Sequence, residues 1–133
     1  MIDYVSILKQ HPNGVLATQD GKGVRTRVFQ FQFAEGDKLY FCTQNFKPVY
    51  EQLKANPHVS FCTYTEDFNP ALSVSGKAIF TEDATLKTRA IEGNPLIKEI
   101  YKTADNPIFA LFYIEAEDVE TFTFTEGSKK YKV

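Results

Sequence analysis

The chain has 133 residues and a mass of 15.1 kDa, about one domain's worth and long enough to bury a core without covalent staples. Apolar residues at 43% and charged ones at 24% exclude a disordered or collagen-like chain, and 15 basic against 17 acidic side chains, a net charge of −2, disfavour a nucleic-acid partner. Two cysteines, Cys42 and Cys62, with no CxxC or Cys/His cluster, exclude a disulfide framework and a structural zinc site.

No apolar run approaches the ~20 residues of a membrane span, and Asp3 with no basic stretch before it argues against a secretory signal. The expectation is a single domain over residues 1–133, soluble and held in a reducing cytoplasm, with no membrane partner.

Ile2 to Gln10 spaces Ile2, Val5 and Leu8 as a short amphipathic helix, closed by His11-Pro12-Asn13-Gly14. Gly14 to Thr18 and the arm Val24 to Phe33 read as a hairpin around the turn cluster Gln19 to Gly23. Alternation along the second arm puts Phe29, Phe31 and Phe33 on one face with Arg25 and Arg27, and Thr26, Val28, Gln30 and Gln32 on the other. A third strand covers Lys38 to Thr43.

The helical period returns from Lys47 to Ala55, with Pro48 at the first helical position and Asn45 as the expected cap. Strands follow from Val59 and over Ala71 to Phe80, then helices over Asp83 to Ile91 and Leu96 to Tyr101. Two last strands are expected at Ile108 to Ala116 and Glu120 to Thr125. Four Asn-Pro steps, at 56–57, 69–70, 94–95 and 106–107, mark element boundaries. Seven antiparallel strands with inserted helices predict a small barrel in an α+β setting.

Arg25 and Arg27 project from one face of a strand, and Lys47 stands at a helix start soon after. A guanidinium fork beside a helix N-terminus favours a phosphate, although arginines on a strand are also met simply solvated or paired with acids. Gln30 and Gln32 offer the donors and acceptors that a flavin or pyrimidine-like ring edge requires, and they are equally ordinary on a solvated strand face. His11 and His58 have no sequence partner for metal or general-base duty, and Cys42 reads as a buried, inert thiol. No metal site is expected.

The run GVLATQDGKGVRTRVFQFQF, then LYFCTQNFKPVYEQLKANPHVSFCTY, then SVSGKAIF resembles the pyridoxamine 5′-phosphate oxidase-related family of FMN-binding split barrels. Within that family it is similar to the small proteins akin to the nitroimidazole-resistance and general-stress flavoproteins. The resemblance implies a split barrel of six to seven strands with peripheral helices, and a homodimer holding two FMN molecules at its interface.

It also implies phosphate contacts from Arg27, Arg25 and Lys47, ring contacts along Val28, Phe29 and Gln30, and strand-end contacts at Cys42 and Thr43. Many relatives carry Ser-x-Lys or Arg-Lys ahead of the helix where this chain has Lys47-Pro48-Val49, which implies a weaker phosphate grip. The pyridoxal-phosphate contacts of the true oxidase lie largely in a C-terminal extension beyond the position of Val133, so that oxidation is not expected.

The implied function is a flavin-dependent oxidoreductase passing electrons from a reduced nicotinamide or other donor to a small acceptor. No titrating side chain is then essential, and Phe122 or Phe124 of the second subunit walls the substrate pocket. The alternative is a non-catalytic flavin or haem carrier or sensor of the same fold. Single-stranded nucleic-acid binding through RTRVFQF is a third class, against which the net charge argues.

Overall fold

The computed structural model describes residues 2–133. Four helices are α1 (Tyr4–Gln10), α2 (Pro48–Ala55), α3 (Ala84–Glu92) and α4 (Pro95–Tyr101). Eight strands are β1 (Asn13–Asp20), β2 (Gly23–Gln30), β3 (Phe33–Glu35), β4 (Lys38–Gln44), β5 (His58–Tyr64), β6 (Ala71–Thr81), β7 (Phe109–Thr123) and β8 (Gly127–Lys132). They form one antiparallel sheet in the order β2-β1-β5-β6-β7-β4-β3, with β8 added on β7. The Gln32 N–H donates to the Tyr40 carbonyl at 3.0 Å, so the end of β2 returns to β4 and the sheet curls into a split barrel of the α+β class.

The β4–β7 ladder is buried on both sides. Leu39, Phe41, Phe112 and Ile114 point into the main core with Leu16, Phe61, Leu72 and Val74. Tyr40, Cys42, Phe109 and Leu111 point the other way, under Ala90 and Ile91 of α3 and Tyr101 of α4. This explains why these strands are apolar almost without interruption. Helix α2 closes one end of the barrel through buried Val49 and Leu53, and α1, capped by Asp3 on the Ser6 N–H, packs Tyr4 and Leu8 on the same core.

Four expectations are corrected. The strand expected to run unbroken to Phe33 ends at Gln30. Phe31 then bonds Pro12 and Gln32 bonds Tyr40, so the chain changes neighbour there; Phe29 and Phe31 join the main core while Phe33 stacks on Tyr40 at 4.6 Å on the other side. The turn expected over Gln19 to Gly23 is tighter. Strands continue to the Asp20–Gly23 pair, leaving Gly21 (φ +60°) and Lys22 as the loop, with glycine at the first position as type II′ turns favour.

Asn45 does not cap α2. Lys47 holds the N-cap position without a side-chain hydrogen bond, and the Asn45 amide donates to the Pro107 carbonyl at 2.8 Å. The two closing strands are one, β7, and an eighth strand follows it. Ser75 pairs with Asp118 and Gly76 with Ala116, so Glu117 bulges out without ending the strand. β8 carries little apolar alternation, and only its Tyr131 packs on the core.

The buried hydroxyls and thiol give the fold an alkaline limit. Burial raises the pKa of Tyr4, Tyr40 and Tyr101, with the Asp37 carboxylate, 2.6 Å from the Tyr4 hydroxyl, adding to the first; burial also pushes the Cys42 thiol up to about 12. A raised pKa favours the protonated group in the folded state. Its stabilisation is whole below the unfolded values, 9.0 for the thiol and 10.0 for the phenols, and is lost as pH rises through and above them. Unfolding free energy from urea titrations should therefore fall steadily above pH 9, and Tyr4→Phe should flatten that fall.

Candidate functional site

The split lies where β2 and β4 diverge after the Gln32–Tyr40 contact. From Phe41 to Gln44, β4 pairs only with β7, and from Arg27 to Gln30, β2 pairs only with β1, so two unpaired strand edges face each other. Between them runs a groove of about 350 Å³, lined by Arg27, Val28, Phe29, Gln30, Gln32, Cys42, Thr43, Gln44, Lys47 and Val49, and walled by Ile97, Ile100 and Tyr101 of α4. A hollow of about 500 Å³ adjoins it, sharing Arg27, Lys47 and Val49 and adding Asp20, Arg25, Thr26, Pro48 and Gln52.

Seven of the eight predicted residues, all but Arg25, thus line one groove, and Arg25 lies in the adjoining hollow. Phe122, Phe124, His11 and His58 line neither.

Arg27 is held by neutral groups. Its Nη1 donates to Thr18 Oγ1 at 2.9 Å and its Nη2 to Gln52 Oε1 at 2.7 Å, while Thr18 donates to the same Gln52 oxygen at 3.0 Å. Among the described residues no carboxylate pairs with it, and none pairs with Lys47. Burial and then the neighbouring Arg25 lower the guanidinium pKa, with Asp20 partly opposing; an arginine remains charged under such shifts. Arg25, by contrast, is ion-paired with Asp20 at 3.2 Å on the surface. The end of the groove beside α2 therefore presents positive charge that the fold leaves unneutralised, next to the positive end of a helix dipole.

The opposite stretch is polar but neutral. Gln30 donates to Asn13 Oδ1 at 2.9 Å, and Asn94 at the start of α4 donates to both glutamine oxygens. Tyr101 reaches the Thr43 carbonyl at 3.4 Å. The Cys42 thiol, with its pKa near 12, stays protonated at neutral pH and supplies no thiolate.

Sequence reasoning missed Thr18, Gln52, Asn94 and the α4 wall. Asn94 reads only as an Asn-Pro boundary, and the periodicity of α4 marks Ile97 and Ile100 as apolar without saying which strand they would face. Gln52 carries a signal, lying one turn beyond Pro48 on the helix whose start the sequence offers to a phosphate.

The fold and groove define a small antiparallel barrel split along one seam, with a cationic end and a neutral polar wall. The family model described as pyridoxamine 5′-phosphate oxidase matches residues 3–123, and the chain belongs to that family. Among solved structures it is similar to a NimC/NimA family protein from Clostridium acetobutylicum, at a TM-score of 0.86 and 24% identity over 98% of this chain and 90% of that one. General stress protein 26 from Bacillus anthracis matches at 0.80 and 21% identity, over 97% and 95%. A pyridoxamine 5′-phosphate oxidase-related, FMN-binding protein from Nostoc punctiforme matches at 0.68 and 14% identity, over 90% and 79%. These likenesses establish the fold. Comparison of the sequence with curated proteins finds no match. No helix among the described residues is long and apolar enough to cross a membrane.

Proposed function

We propose that the groove binds FMN and that the protein is a flavin-dependent oxidoreductase passing electrons from a reduced nicotinamide or similar donor to a small acceptor. The observation that carries this reading is Arg27, a part-buried guanidinium fixed by Thr18 and Gln52 and, among the described residues, left without a carboxylate. A charge so held calls for an anion, and a phosphate accepts a guanidinium fork. Arg27, Lys47 and the first turn of α2 would hold the phosphate, with Arg25 assisting from its pair with Asp20.

Val28, Phe29 and Gln30 on one side and Cys42 and Thr43 on the other would flank the ring, whose polar edge suits the unpaired backbone groups there. The family match and an FMN-binding relative support this assignment. FMN, when bound, supplies the hydride and electron transfer. The chain would position the ring against the apolar Ile97, Ile100 and Val49 and contribute no titrating acid or base. With both cysteines free, the reading places the protein in a reducing cytoplasm.

The proposal includes a two-fold homodimer. The groove is open along one side, and large apolar side chains stand exposed on or beside its lining: Val28 at 78%, Leu96 at 64% and Ile100 at 55%. A second copy would cover them and complete the wall.

The purified protein is expected to be yellow, to release FMN on denaturation, and to scatter light as twice the 15.1 kDa chain mass. A colourless protein that binds no added FMN overturns the cofactor assignment, and a 15.1 kDa species retaining tight flavin overturns the dimer. If the reduced holoprotein passes electrons to no quinone, nitro compound or oxygen faster than free FMN does, the carrier reading replaces the enzymatic one.

A further inference from the structure

We propose that Asn94 is a positioning residue that makes the Gln30 side of the groove a hydrogen-bond donor, and so tunes the reduction potential of whatever ring sits there; this rests on the flavin reading. The chain of constraint begins at a helix cap. Asn94 is the N-cap of α4, and its Oδ1 accepts from the Leu96 N–H at 3.0 Å, which forces its Nδ2 to point the other way. That nitrogen donates to Gln30 Oε1 and to Gln32 Oε1, both at 3.0 Å. Both glutamine oxygens are thereby fixed toward Asn94.

Gln32 Nε2 is spent on the Gln30 carbonyl at 3.1 Å and lies 3.4 Å from Gln30 Oε1. Gln30 Nε2 spends one hydrogen on Asn13 at 2.9 Å. An amide nitrogen carries two, so one Gln30 N–H remains uncommitted beside the groove that Gln30 lines. Without Asn94 the Gln30 carboxamide could turn over, together with that of Asn13, and offer an oxygen instead; Gln32 stays held by the Gln30 carbonyl, which only accepts. A fixed donor at a ring edge favours the more electron-rich, reduced ring, because it needs no reorientation when charge builds there.

Two substitutions keep the α4 cap, since Ser and Asp both serve as N-caps. Asn94→Asp offers only acceptors, so Gln30 must turn its N–H toward it and show its oxygen to the groove. Asn94→Ser is too short to reach the glutamines and adds no charge. Each would be reconstituted with FMN, alone and in a Gln30→Leu background, and its midpoint potential and visible spectrum recorded.

Asn94→Asp is expected to lower the preference for reduced over oxidised FMN by about tenfold, a fall of about 30 mV for a two-electron couple, and Asn94→Ser by less. With Gln30→Leu present, Asn94→Ser should change little further, and the shift left with Asn94→Asp measures the added charge together with its effect on Gln32, which lines the same groove. Bound FMN with wild-type potential and spectrum in Asn94→Ser, or the same shift with and without Gln30, overturns the inference while leaving the flavin reading intact. Failure of the wild type to bind FMN overturns both.

Discussion

Arg27→Ala is expected to weaken FMN binding about tenfold to hundredfold and to leave riboflavin binding unchanged. A hydrogen bond to a charged group contributes roughly 1.5–3 kcal/mol, and about 1.4 kcal/mol corresponds to tenfold in affinity. The structure argues for the upper part of that range, because the guanidinium is already fixed by Thr18 and Gln52 and spends nothing on a protein carboxylate.

Arg25→Ala should cost less, since Arg25 is exposed and already paired with Asp20. Titrating apo-protein with both ligands, by fluorescence quenching of the flavin, reads the two losses directly. Equal wild-type affinity for FMN and riboflavin would sink the phosphate assignment. Equal losses for both ligands in Arg27→Ala would show that the arginine braces the strand and does not contact phosphate.

The largest expected loss of stability follows from Gly76→Val. At this position β7 changes partners: Lys38–Gln44 of β4 pair with its first half up to Glu115, and β8 pairs from Asp118 onward, with Glu117 bulged between. β6 follows both halves around the corner, and it approaches so closely that a Cβ on Gly76 would lie 2.0 Å from the Glu115 carbonyl oxygen. Backbone, not a flexible side chain, stands in the way. Overpacking of this kind costs about 3 kcal/mol, which for a chain of this length lowers Tm by roughly 10 °C. An unchanged denaturant midpoint would mean that the corner yields without cost and that the bulge is not pinned there.

Much of the lining of the candidate site was legible in the sequence. Alternation in Val24 to Gln30 is a local property, so it placed Arg25, Arg27 and Phe29 on one face correctly, and Pro48 announced the start of α2 because its missing N–H is tolerated there. Motif likeness then gathered Arg27, Val28, Phe29, Gln30, Cys42, Thr43 and Lys47, which the fold brings to one groove.

What local pattern could not contain was decided by pairing between distant segments. The strand stops at Gln30 because Tyr40 takes the Gln32 N–H; β7 runs through Glu117 because Gly76 lets β6 follow a bulge; and β8 forms, though nearly devoid of apolar alternation, because β7 offers it an edge. Asn94 bonds Gln30 and Gln32 across 64 and 62 residues, and Gln52 meets Arg27 across 25. A side chain's hydrogen-bond partner depends on where the barrel closes. Composition and periodicity set which face each residue occupies, and only the closed sheet decides what that face meets.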